Sequence, residues 1–280
     1  MARAPHPTRF WRAQHMPWLE ARLTIDARDV SYGRHSHDTF SLGAVLGGRS
    51  LYRYWVAGRE HAVTVSQGMT VAMNPGEVHA CNPCGDTPWS YLMLHVDPGW
   101  LAARQPGAAP FQPVETRSSR DPALYAALVG LSRTLFDGRA TPQACQRRGE
   151  ATLMRAMSCL AGQAPQQVPE NERLAGVATY IRAHCLTPIT LEEMAQVADC
   201  SVSWLIRAFR RRYGLTPHAF LNDCRIRHGQ CALRQGAAIA EVALDCRFAD
   251  QAHFQRTFKR LTAATPQQYR RPASCPAPER

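Results

Sequence analysis

One pattern occurs twice near the C-terminus of this 280-residue chain. Leu205-x-Arg207-x-Phe209 returns as Phe254-x-Arg256-x-Phe258, with Arg207 and Arg256 49 positions apart. Each copy runs on into basic residues and then a Thr-Pro pair, Thr216-Pro217 and Thr265-Pro266. Apolar residues four apart with arginine between them define a helix with one buried and one charged face. A repeat of this length is one supersecondary unit, used twice.

The residues around each copy complete the unit. In the first, Thr190 with Glu193 three residues on reads as a capping box opening a short helix, Leu191–Ala198. Asp199-Cys200 makes a turn, and Ser201 caps a second helix, Val202–Tyr213, stopped by Gly214. Val202, Leu205 and Phe209 form its inner stripe; Ser203, Ile206, Arg207, Arg210 and Arg211 lie outward. In the second, Ile239–Cys246 is the short helix and Asp250 caps Gln251–Leu261. Phe254 and Phe258 point inward; Gln251, Ala252, Gln255, Arg256 and Lys259 point outward. Two short helices across a tight turn make a helix-turn-helix, and an Arg-bearing second helix suits the DNA major groove. A helix over Pro217–Arg234, with Phe220, Leu221, Cys224, Ile226 and Cys231 at near-helical spacing, joins the units. A stiff connector of this kind lets two readers enter successive grooves about 34 Å apart.

The strings ITLEEMAQVADCSVSWLIRAFRRRYGLTP and IAEVALDCRFADQAHFQRTFKRLTAATPQQYR resemble the signature of the AraC/XylS family of bacterial transcription regulators. The resemblance covers about residues 172–272. It implies an activator, less often a repressor, that binds double-stranded DNA and works with RNA polymerase. It also implies base-reading roles for Ser203, Ile206 and Arg207, and for Gln251, Ala252 and Arg256. Two positions depart from the family pattern: Arg247 and Ala263 stand where glycine is usual. A left-handed turn at a non-glycine residue costs roughly 1 kcal/mol.

Residues 21–100 read as β. Apolar segments at Leu42–Leu46, Leu51–Val56, Ala62–Val65, Thr70–Met73 and Tyr91–Val96 alternate with Gly, Asn and Pro turns. A Pro/Gly/Ala stretch from Pro98 to Pro113 ends the pattern. Helical periodicity follows, with Leu124, Leu128, Leu131 and Leu135 on one face and Leu153, Met157 and Leu160 on a second helix, Gln143–Leu160. This pair is either a dimer surface or a cap on the β domain. The predicted fold is therefore α+β with two domains: a β-barrel with a helical pair, which the resemblance of the histidine motifs below implies is cupin-like, then an all-α tandem helix-turn-helix. The segments are a sensor with an N-terminal arm over 1–118, the pair over 119–161 and a polar linker over 162–171. A DNA-binding domain over 172–272 and a disordered tail over 273–280 follow.

His35-Ser36-His37 and Pro75-Gly76-Glu77-Val78-His79 are similar to the two metal-binding motifs of small cupins. The Glu expected shortly after His37 is missing: Asp38, Thr39, Phe40, Ser41 and Leu42 stand there. Two readings follow. His35, His37 and His79 hydrogen-bond a small-molecule effector, or they hold a divalent metal with open positions. No cofactor is required by the first. Cys81 and Cys84 form a C-x-x-C pair beside His79, which admits a metal- or thiol-responsive regulator. The other helical cysteines read as buried fillers. A cupin metalloenzyme with a DNA-binding tail is the further alternative, and it lacks both the Glu and an acid/base pair.

Charge fits a DNA partner. The net charge is +11, and the part after Gly162 holds 16 basic residues against 10 acidic ones in the shorter half. No apolar run is long enough for a membrane helix, and the first 20 residues lack an apolar signal core. The expectation is a cytoplasmic homodimer with reduced thiols, no membrane association and no enzyme activity.

Overall fold

The computed structural model describes residues 8–270 apart from 29, 86, 106, 108, 109 and 163–170. The predicted linker lies mostly, and the predicted tail wholly, outside the described residues. The N-terminal half is built from β1 (Thr8–Trp11), β2 (Leu19–Ala27), β3 (Phe40–Gly47), β4 (Arg49–Val56), β5 (Arg59–Ser66), β6 (Thr70–Met73), β7 (His79–Pro83), β8 (Trp89–Val96) and β9 (Ser118–Ser119). A six-stranded sheet runs β1-β2-β8-β3-β6-β9 and a three-stranded sheet runs β5-β4-β7, every pairing antiparallel. They enclose a core of Val45, Tyr52, Val65, Val71, Met73 and Trp89.

Strand alternation gives the larger sheet two different faces. On β8, Leu92, Leu94 and Val96 join Leu42 and Ala44 of β3 on the outer side. There they meet α2 (Pro122–Phe136) and α3 (Pro142–Leu160) through Leu124, Leu128, Leu131, Leu135, Leu153 and Leu160. The helical pair thus caps the sheet with its apolar faces. Met157, placed on the same stripe by its spacing, is only half-buried. Asp121 and Thr141 start the two helices by accepting from Leu124 N at 2.6 Å and Ala144 N at 3.2 Å. A short helix, α1 (Pro98–Ala102), occupies part of the stretch expected to be irregular.

Strand β2 escapes an apolar-period reading because its inward residues are charged. Glu20 and Arg22 are both buried, opposite His95 and Met93 of β8. Part of the N-terminal arm is a sheet strand: β1 pairs with β2 along its length.

The C-terminal half is α4 (Glu172–His184), α5 (Leu191–Val197), α6 (Val202–Tyr213), α7 (Pro217–Arg234), α8 (Ile239–Asp245), α9 (Gln251–Thr262) and α10 (Pro266–Arg270). The capping box holds as expected: Glu193 Oε2 accepts from Thr190 N at 2.7 Å and Thr190 Oγ1 accepts from Glu193 N at 3.2 Å. Leu205 and Phe209 are fully buried in the first unit, Phe254 and Phe258 in the second. Val202 is half-buried, at the margin of its stripe. Four of the helical cysteines are buried fillers, but Cys159 and Cys231 are exposed and Cys200 is half-exposed, so the filler reading is corrected there. Cys231 lies on the outer side of α7, off the buried line of Phe220, Leu221, Cys224 and Leu233.

The two halves share their cores. Trp55 and Val78 of the barrel belong to the cluster of the first helix-turn-helix, and Phe10 to that of the second. Gly214 ends α6 in the left-handed region, with φ +74°, and a Cβ there would lie 2.7 Å from the Trp55 ring. The close approach requires glycine, and the positive φ favours it.

Arg247 also sits at positive φ, +57°, in the turn of the second unit, as Asp199 does in the first at +47°. Its Nε donates to Leu186 O at 2.9 Å, tying that turn back to the end of α4. Arg247→Ala keeps the strain and loses the bond. Arg247→Gly loses the bond but relieves about 1 kcal/mol of strain, partly offset by the entropy of Gly when unfolded. Arg247→Gly is therefore expected to melt above Arg247→Ala, and thermal denaturation of both checks the order.

Candidate DNA-binding surface and effector cavity

Helices α6 and α9 present the predicted reading faces. Ser203, Arg207, Arg210 and Arg211 are exposed on α6, with Ile206 half-buried beside them. Gln251, Ala252, Gln255, Arg256 and Lys259 are exposed on α9. Ser201 Oγ accepts from Trp204 N at 3.3 Å and Asp250 Oδ1 accepts from His253 N at 2.6 Å, so both helices begin with side-chain caps. One exposed aromatic, Trp204, lies next to Ser203 in the first turn of α6. A lone Trp between two polar faces carries no periodic signal, which is why spacing did not single it out.

His35, His37 and His79 converge. Their nitrogens lie within 4.8 Å of one another, and their ring centroids are 4.5 to 4.8 Å apart. Two strand-like backbone bonds set the spacing, His35 N to His79 O at 3.1 Å and His79 N to His35 O at 2.9 Å. His35 Nδ1 faces Gly33 O at 2.7 Å and His79 Nδ1 faces Glu77 O at 2.9 Å. A carbonyl only accepts, so each Nδ1 carries the proton and each Nε2 offers a lone pair. This is the arrangement by which outer partners orient metal-ligating imidazoles. His95, its ring 4.7 Å from that of His37, makes a fourth. The signal for His95 was the alternation of β8, which puts Tyr91, Met93 and His95 on one side.

These rings line a cavity of about 110 Å³ between the two halves. Arg22, Tyr32 and Tyr91 line one wall, and the helical half supplies Arg227, Gln230, Arg234, Thr262 and Tyr269. Arg22 Nη1 donates to Tyr32 Oη at 3.0 Å and to Thr262 O at 2.7 Å. Its buried Nε has no hydrogen-bond partner among the described residues.

Burial dominates the electrostatics here. It pushes His35 down to about 4 and His79 and His95 down to about 3, and holds His37 well below the ordinary value. The four rings are neutral at pH 7. Burial alone would raise Glu20, but the Arg12 guanidinium, 2.7 Å from its carboxylate, brings it down to about 2. Burial lifts the Cys81 thiol to about 12, with Ser50 Oγ at 3.0 Å, so it is not a thiolate at neutral pH.

A helix-turn-helix domain model matches residues 194–272, and a model of the AraC-like ligand binding domain matches residues 17–157, half of the chain. The chain belongs to the AraC family of transcription regulators. These matches point to regulators and not to enzymes. The HTH-type transcriptional regulator MtrA of Neisseria gonorrhoeae is 37% identical to this AraC-family chain over 82 residues, 29% of the chain and 27% of MtrA. An HTH-type regulator of Staphylococcus aureus is 35% identical over 111 residues, 39% of the chain and 15% of the relative. The chain thus spans about a quarter or less of the length of these curated relatives. An apo ToxT variant from Vibrio cholerae has the same two-domain fold, with a TM-score of 0.57 at 10% identity, covering 90% of this chain and 97% of that one. ToxT bound to an unsaturated fatty acid aligns with a TM-score of 0.51 at 9% identity, covering 96% and 97%. No helix among the described residues is long and apolar enough to cross a membrane.

Neutral burial of four histidines has a pH signature. An unfolded chain takes up protons on them below about 6.5, where the folded chain does not. Their contribution is present above that pH and is lost as pH falls towards the folded values. Asp223, raised by burial to about 6, works the other way, its contribution fading as pH rises through that value. Four groups outweigh one, so metal-free protein should melt at a lower temperature at pH 5 than at pH 7. A melting temperature that is flat or higher at pH 5 contradicts the neutral cluster.

Proposed function

We propose that the chain activates promoters by binding double-stranded DNA through α6 and α9, under control of an effector in the cavity between its halves. One observation carries this reading. The DNA-binding half lines the cavity, yet the outward residues of both reading helices, the half-buried Ile206 apart, stay exposed while the sensor is docked. Occupancy therefore reaches the reader without covering it. The cavity, about 110 Å³, is smaller than the roughly 150 Å³ known to hold a benzene-sized guest, and is small for a long-chain lipid. The effector is accordingly a compact molecule or ion. The reader acts in the cytoplasm as a homodimer with RNA polymerase. The solvent side of α3, which carries Arg155 and Cys159, is left free for pairing once its apolar face covers the sheet.

A second reading is favoured by the imidazole trio. His35, His37 and His79 suit a divalent cation of the zinc class, with two of the three Nδ1 protons already held by carbonyls. Such an ion would supply positive charge and open positions for an effector's oxygen or nitrogen. A thiol-based response is disfavoured, since burial keeps Cys81 protonated.

Selection of duplexes from a random-sequence pool with the full-length protein tests the reader. Arg207→Ala and Arg256→Ala should each weaken the selected site by about 1–3 kcal/mol and relax preference at one position. Unchanged ratios of specific to random binding in both variants would remove these helices as readers.

A further inference from the structure

We propose that residues 33–38 are a two-faced strut through which occupancy of the histidine trio changes the placement of the two reading helices. The inference rests on the reading that the cavity holds the effector, and it names how that site is read. In this segment the imidazoles of His35 and His37 line the cavity. The residues between and beside them hold the DNA-binding half instead.

Gly33 N donates to Arg260 O at 2.8 Å, in the last turn of α9. Arg34 Nη1 donates to Gly214 O at 3.2 Å, at the end of α6, while its guanidinium stacks 4.3 Å from the Trp55 ring centroid. Ser36 Oγ donates to Asp223 Oδ2 at 2.6 Å, and Ser36 N faces both oxygens of that carboxylate at 3.3 Å. Asp38 pairs with Arg227 of α7. One short stretch thus touches the ends of both reading helices and the connector between them.

The coupling is mechanical. Three nitrogens spread over as much as 4.8 Å must approach about 3.4 Å to share one tetrahedral ion at 2.0–2.1 Å. His79 is fixed in a strand, so the yielding part is 33–38, which is loop apart from its bridge to His79. Ser36 is buried, and so is its partner Asp223. Packed, hydrogen-bonded contacts of this kind transmit a shift instead of absorbing it. Linkage then requires the reverse effect: DNA bound to α6 and α9 must alter the segment.

The test uses the full chain, Zn²⁺ alone as probe and a duplex taken from the random-sequence selection. Ser36→Ala removes the bond to Asp223 and Asp38→Ala removes the pair with Arg227, and both leave the three imidazoles in place; Asp38 is exposed at the edge of the cavity and cannot threaten the core. Wild type should change its DNA affinity by about fivefold or more on adding Zn²⁺. Both variants should bind Zn²⁺ as wild type does, and loss of the DNA response in either supports the strut. Retention of the full response in both overturns it, as does Zn²⁺ binding in wild type with no change in DNA affinity. If Zn²⁺ does not bind wild type, the metal reading fails and the strut is judged by amide hydrogen exchange. DNA should then change exchange in peptides covering 33–38 and 77–81 in wild type, and less so in Asp38→Ala. No change in wild type overturns the strut independently of any metal.

Discussion

The pair of backbone hydrogen bonds between His35 and His79 sets the register on which the site depends. Extended chain alternates its side chains, so that one pairing decides which residues enter the cavity and which meet the helices. Shifted by one residue, Ser36 and Asp38 would face inward and the imidazoles would meet α7. In the observed register the rings converge, the Nδ1 protons of His35 and His79 are taken up by nearby carbonyls, and the intervening Ser36 reaches a buried carboxylate on the connector helix.

The DNA-binding half is stiffened by a small number of polar anchors. Arg225 donates to the carbonyls of Cys185 at 2.9 Å and Thr187 at 3.3 Å, and Arg247 to that of Leu186 at 2.9 Å. These bonds tie the connector and the second turn to the loop after α4, so the two readers sit on one frame. On the sensor side, Trp55 fills the space that Gly214 leaves at the end of α6, and Arg22 reaches Thr262 at the end of α9. The sensor grips both reading helices at their C-terminal ends, away from the first turns that carry Ser203 and Gln251. These contacts leave the first turns of both helices uncovered.

Burial also shapes what the cavity can recognise. Four neutral imidazoles offer lone pairs, while Arg22 stays charged despite its burial, with the Glu20 carboxylate nearby and Tyr32 Oη accepting from its Nη1 at 3.0 Å. Its unpartnered Nε adds a donor on the wall beside them. The cavity thus presents acceptors and a donor together.

How much of this was legible beforehand differs between the halves. The tandem helix-turn-helix, its caps and its outward arginines are local facts: the periodicity of Leu205, Phe209, Phe254 and Phe258 and the caps Thr190, Ser201 and Asp250 act within a turn or two of chain. The left-handed turn at Arg247 was legible as well, from where glycine was missing. Of the cavity, the chain's own order showed His35, His37 and His79. Arg22 and Glu20 were hidden, because a strand that turns charged residues inward has no apolar period and their partners come from other strands and from the helical half, while His95 could be reached only through the alternation of β8. Whether the helical pair covered the sheet was likewise settled by packing, since an apolar stripe is the same for either partner. Sequence alone determined the DNA-reading units, where structure is held by neighbours in the chain. Only the tertiary structure decided that the sensor's histidines and the reader's helices meet at one segment, since burial and long-range hydrogen bonds join residues up to about 250 positions apart.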